Sequence, residues 1–151
     1  MSNLSKCGLF VGLVTLDFIY LAANSPGNNE KIVADDYTVA AGGPATNAAV
    51  CFSFLGNNSK LLGVIGNHPI SQLIRSDLDS YHINILDLDA ARIEPPPVSS
   101  IVVTKNTGDR AVVSINAIKS QINSENLPLQ SLQNIDIVLI DGHQMEVGKQ
   151  I

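Results

Sequence analysis

The sequence predicts an α/β fold built on a parallel sheet, on three observations. Short apolar runs at 7–14, 59–66 and 135–140 have no polar alternation, as strands covered on both faces require. Between them, Ile70, Leu73, Ile74, Leu78 and Tyr81 recur at helical spacing. Third, Gly42-Gly43 joins an extended segment to a helix of small and apolar residues, as a strand-to-helix turn does. With 151 residues, 45% hydrophobic and 5% aromatic, the chain suffices for one domain with an aliphatic core.

Composition narrows the partners. A net charge of −5 without a Lys/Arg run argues against nucleic acid or an anionic membrane. No apolar run is long enough to span a bilayer, and residues 1–7 lack the apolar stretch and cleavage site of a secretory signal, so a cytoplasmic location is expected. Cys7 and Cys51 are isolated in sequence and are expected to be buried, reduced thiols.

In chain order, the first strand (7–14) delivers Thr15, Leu16 and Asp17 to its C-terminal end, where open α/β sheets hold ligands. A carboxylate there is placed to accept hydrogen bonds from a ligand's hydroxyls. Residues 18–22 leave the core as a strand, 24–29 turn, and 30–40 return in β-type alternation; Asp35 and Asp36 read as solvated charges. At the Gly42-Gly43 turn, backbone N–H groups face outward, Pro44 suits the first helical turn, and Asn47 projects an amide from it. A helix over 46–55 ends at Gly56, and the next strand covers 59–66.

His68 reads as a loop histidine, and a helix over 69–81 precedes a strand over 82–88. Pro95-Pro96-Pro97 punctuates the chain before a hairpin of 98–104 and 110–116, turned by residues 105–109. Residues 118–134 are polar, with a short helix or turn expected near 126–128. The strand at 135–140 ends in Asp141-Gly142-His143, which the sheet-end rule also places at a site; a capping aspartate and a surface histidine are the alternative roles.

Gly42, Gly43, Ala45, Asn47 and Ala49, followed by Gly56 and Gly66, match every specified position of the first signature of the ribokinase (PfkB) family of carbohydrate kinases, which this chain resembles over essentially its whole length. The resemblance implies a ribokinase-like α/β fold: a parallel-sheet core with helices on both faces and a small β-sheet lid, formed by segments at about 18–40 and 98–116. The whole of 1–151 is then the N-terminal part of one such domain. It implies that Asp17, Gly42, Gly43 and Asn47 hold a sugar. Arg110, ending the hairpin turn, is either near transferred phosphate or a surface cation, and Asp141 and His143 are candidate substrate contacts. The aspartate that family members commonly carry two residues after Gly66 is replaced, since Asn67-His68-Pro69 follows.

The family's second half carries the ATP site, an anion hole at a helix start, and the aspartate that deprotonates the sugar. No DTxGAGD-like run and no Walker-type loop occurs in these 151 residues. Ile151 falls a few residues into a helix begun near Gln144, so the chain is expected to be truncated. The implied function is the substrate-recognising part of an ATP-dependent sugar kinase, inactive alone. ATP and Mg²⁺ belong to the intact family enzyme and are not expected to bind this chain by itself. A non-catalytic sugar-binding module, half of a split kinase, or part of an adenosine-type nucleoside kinase are the alternatives. A homodimer through exposed lid edges, or a separate C-terminal half, are the implied protein partners.

Overall fold

The computed structural model describes residues 5–115, 117–122, 127 and 132–151. Two four-stranded sheets organise them. Numbered in chain order, β1 (Cys7–Val11), β4 (Asn58–Gly63), β5 (Asn84–Asp87) and β8 (Ile137–Ile140) form an all-parallel core in the order β5-β4-β1-β8. The lid comprises β2 (Thr15–Ala22), β3 (Asp36–Gly42), β6 (Val98–Thr104) and β7 (Arg110–Ser114), ordered β3-β2-β6-β7. Within it β2 and β6 run parallel, while β2–β3 and β6–β7 are antiparallel.

Period-two alternation divides the core strands between two apolar layers. Phe10 and Leu61 face α1 (Pro44–Phe54) and α2 (Ser71–Ser80), packing on Ala45, Ala49, Ile74 and Leu78. Leu9, Val11 and Leu62 face the other way, against Val147 of α3 (Met145–Gly148) and Leu127, Leu132 and Ile135. The parallel core thus carries helical cover on both faces, as expected. The small residues of α1 let it lie close to β1 and β4, and Gly56 at φ 86 closes that helix in the left-handed conformation a C′ glycine supplies.

Several boundaries differ from expectation for identifiable reasons. The first strand stops at Val11, not Val14, because Gly12 lies directly beneath the Asp141 carboxylate and Leu13 donates its N–H to that carboxylate at 2.9 Å. Asp17 therefore belongs to lid strand β2 and not to the end of β1. The returning strand begins only at Asp36, where its pairing with β2 starts opposite Leu21, one residue after the Asp35 N–H donates to the Leu21 carbonyl at 2.8 Å. The second core strand ends at Gly63, after which Ile65 and Gly66 donate their N–H groups to Asp87. The predicted turn near 126–128 lies, apart from Leu127, outside the described residues.

Cys51 is exposed and Cys7 half-buried, contrary to the expectation that both are buried. Ala45, Thr46 and Ala49 occupy the inward face of α1, and Cys51, about 200° around the helix from Ala49, falls outside it. β8 also departs from the buried reading: Ile137 to Ile140 are 39–51% exposed, because among the described residues β8 pairs only with β1. At the N-terminal ends of these two strands, Asp136 accepts the Cys7 N–H at 2.8 Å and pairs with the Lys6 ammonium at 2.9 Å. The Cys7 hydrogen bond and then Lys6 hold its carboxyl below the ordinary value of 3.8.

Candidate functional site

The site grows from the turn between β3 and α1. Gly43 is the residue before the helix, at φ 105, and a Cβ there would lie 2.2 Å from the Leu13 carbonyl oxygen. Pro44 follows in the first helical turn, where its missing N–H leaves no bond unmade. At Gly42 a Cβ would lie 2.0 Å from Asp17 Oδ2 and 2.7 Å from Thr15 Oγ1. Only a bare backbone lets the Asp17 carboxylate rest at this place. The Thr15 hydroxyl donates to Asp17 Oδ1 at 2.9 Å, orienting the half-buried carboxylate.

Lid register extends this polar group sideways. Asp17 is opposite Ser99 on β6, and Ser99 is opposite Ser114 on β7, so the three form one row across the sheet. A cavity of about 330 Å³ between lid and core is lined by Leu13, Thr15, Ser99, Ser114, Ala117 and His143, among others. Its hydroxyls, imidazole and neighbouring carboxylate can exchange hydrogen bonds with a small polyhydroxylated ligand.

Asp141 and His143 reach the site from the end of β8 in different roles. The Asp141 side chain is 3% exposed. Its Oδ2 accepts the N–H groups of Leu13 at 2.9 Å and Ala45 at 3.1 Å, and its Oδ1 accepts the N–H of His143 at 2.9 Å. His143 Nδ1 lies 3.1 Å from the same Oδ1, which fixes the ring, and the imidazole lines the cavity with its side chain 42% exposed.

Asn47 and Arg110 are not brought to that cavity. Asn47 is exposed on α1 and lines a second hollow of about 390 Å³ with Ala40, Ala41, Cys51, Asp77 and Tyr81. Arg110 is opposite Val103 at the far end of the hairpin, about 13 Å along β7 from Ser114 at ~3.3 Å per residue. Sequence reasoning missed Thr15, Ser99, Ser114 and Asp77. Thr15 had a signal, standing two residues before Asp17 and so on the same strand face; the serines had none without the β2–β6 register.

Among the described residues no group of three or more His, Cys, Asp or Glu side chains could hold a metal ion. The hydroxyls, imidazole and carboxylate gathered at the site can bind and orient a small polar molecule.

The model of the pfkB family of carbohydrate kinases matches residues 9–150. The chain is 27% identical over 143 residues to ribokinase of Dictyostelium discoideum, covering 93% of this chain and 44% of that protein. Among solved structures, a candidate ribokinase from Agrobacterium tumefaciens superposes with a TM-score of 0.80 at 24% identity, over 95% of this chain and 46% of that one. The nucleoside kinase of Methanocaldococcus jannaschii, described as an archaeal member of the ribokinase family, gives 0.67 at 25% identity, over 95% and 48%. Arabidopsis thaliana ribokinase, solved with ribose and ATP, gives 0.66 at 20%, over 96% and 49%. The fold is thus that of the ribokinases, and the chain spans less than half the length of these relatives. With its signature turn, its lidded parallel sheet and a family model spanning nearly all of it, the chain belongs to the pfkB family of carbohydrate kinases.

Proposed function

We propose that this chain forms the substrate-recognising part of an ATP-dependent sugar kinase, with Asp17 as the principal acceptor for the sugar's hydroxyls. The observation that carries this reading is the convergence of Asp17, Thr15 and Gly42 beside a polar cavity between lid and core. Gly42 and Gly43 leave the backbone open beside Asp17, and Thr15, Ser99, Ser114 and His143 line the adjoining cavity. Asn47 and Arg110 keep the roles the resemblance implies: Asn47 through reorientation of its exposed amide, and Arg110 toward an anionic substituent beyond the cavity. Aligning one hydroxyl removes much of the entropic barrier to phosphoryl transfer, which is the contribution this half of the fold can make. ATP and Mg²⁺ would supply the phosphoryl group and its charge neutralisation in the complete family enzyme.

A nucleoside is the second reading, favoured by the similarity to the nucleoside kinase of M. jannaschii. Isothermal titration of the chain with D-ribose, D-fructose, adenosine and ATP tests both. Saturable binding of a free sugar, with no heat from ATP, is the expected result. Binding of adenosine alone selects the nucleoside reading, and no binding of any polyol overturns the recognition role.

A further inference from the structure

The 41–45 turn is held by two carboxylates that come from elsewhere in the chain. From α2, Asp77 Oδ2 accepts the Ala41 N–H at 2.7 Å on the strand side of the turn. From the end of β8, Asp141 Oδ2 accepts the Ala45 N–H at 3.1 Å on the helix side, and with the same oxygen binds Leu13. Ala45 carries one of the first-turn N–H groups that a helix leaves unpaired, and Gly43 has no side chain with which to cap it. Asp141 therefore does from a distance what an N-cap side chain does locally, at the positive end of the helix dipole. Thr46 completes the attachment, donating its hydroxyl to the Leu13 carbonyl at 2.9 Å.

We propose that Asp77 and Asp141 are positioning residues that hold the Gly42-Gly43 turn in its ligand-ready shape from opposite sides, without touching the ligand. The proposal rests on the recognition role assigned to that turn. Two consecutive glycines are the most freely rotating dipeptide a chain can contain, so an unbraced turn must be ordered at the moment of binding. A brace built into the fold removes that cost from the binding step. Asp141, one of the candidate substrate contacts by sequence, thus acts through Leu13 and Ala45.

The test compares the parent chain with Asp77→Ala and Asp77→Asn, using D-ribose titration and amide hydrogen exchange in sugar-free protein. Asp77→Ala is expected to weaken ribose binding at least about tenfold, because a charge-assisted hydrogen bond is lost, and to speed exchange at Ala41. Asp77→Asn keeps an acceptor oxygen and is expected to restore affinity to within about threefold of the parent. Asp141→Asn, which turns an amide donor toward N–H groups, is expected to speed exchange at Ala45. Unchanged exchange at Ala41 in Asp77→Ala overturns the brace whether or not sugar binds. Parent-like affinity in a folded Asp77→Ala, or an Asn variant as weak as the Ala one, overturns the link between brace and ligand. Failure of the parent itself to bind any sugar instead strikes the recognition role.

Discussion

Lid and core each carry an aspartate beside the cavity, Asp17 within β2 and Asp141 just past the end of β8, and the two are built for different work. On the lid side, Asp17 is half-buried and among the described residues receives one hydrogen bond, from Thr15, in a row of hydroxyl-bearing residues. On the core side, Asp141 is buried and its two oxygens take the N–H groups of Leu13, Ala45 and His143 together with the His143 ring. Residue type is the same, but Asp17 stands within β2 while Asp141 follows the last residue of β8, and the number of protein donors differs. That number separates a carboxylate able to accept from a ligand from one already committed to the scaffold.

The largest effect should come from Asp141. Replacing it with Ala leaves three backbone N–H groups short of an acceptor in a site from which water is largely excluded, and should cost about 3 kcal/mol of stability. In thermal unfolding that is a midpoint roughly 10 °C lower. A shift of only a degree or two would put Asp141 in the same class as Asp17 and erase the contrast.

Next come the glycines. Gly42→Ala places a methyl group against the Asp17 carboxylate, 2.0 Å from Oδ2 before relaxation, and should weaken sugar binding by at least about tenfold as the carboxylate is displaced. Gly43→Ala adds about 1–2 kcal/mol of left-handed backbone strain, together with overlap on the Leu13 carbonyl, and should lower the unfolding midpoint as well. Titration calorimetry and thermal unfolding of the two variants separate displaced acceptor from strained turn.

Asp17→Asn sharpens the comparison from the lid side. With Thr15 its one donor among the described residues, it should change stability by less than about 0.5 kcal/mol while reducing sugar affinity roughly tenfold or more. Loss of stability without loss of affinity would reverse the assignment of the two aspartates.

The smallest effect is expected at the other end of the same core strands. Asp136 is held below the ordinary carboxyl range by the Cys7 N–H and then by Lys6. A carboxyl depressed in the folded state adds stability that is present above its unfolded value and lost as pH falls through the folded one. Its contribution should therefore fade only below about pH 4, near the ordinary value of 3.8. Asp136→Asn should leave the neutral-pH midpoint nearly unchanged and slightly flatten the acid limb of a stability–pH curve, because the group is exposed.

What the sequence made legible is local. The Gly42-Gly43 turn, Ile74 and Leu78 on the inward face of α2, and the apolar runs of β1 and β4 all follow from spacing and composition within a few residues, although Leu73 and Tyr81 of the same helical stripe are exposed. What it hid depends on distant partners. β1 ends at Val11 because of a carboxylate 128 residues beyond Leu13, and Ser99 joins Asp17 only through a parallel pairing that no local pattern records. β8 has the composition of a strand covered on both faces, yet among the described residues it pairs only with β1 and its side chains are 39–51% exposed.

The most direct test of ligand recognition is an amide-shift titration of the ¹⁵N-labelled chain with D-ribose, repeated with D-fructose and adenosine. The expected result is one saturable transition in which Thr15, Asp17, Gly42, Gly43, Ser99, Ser114 and His143 move together. Absence of saturable shifts with every ligand, or shifts confined to the outer lid around Tyr37, would contradict it.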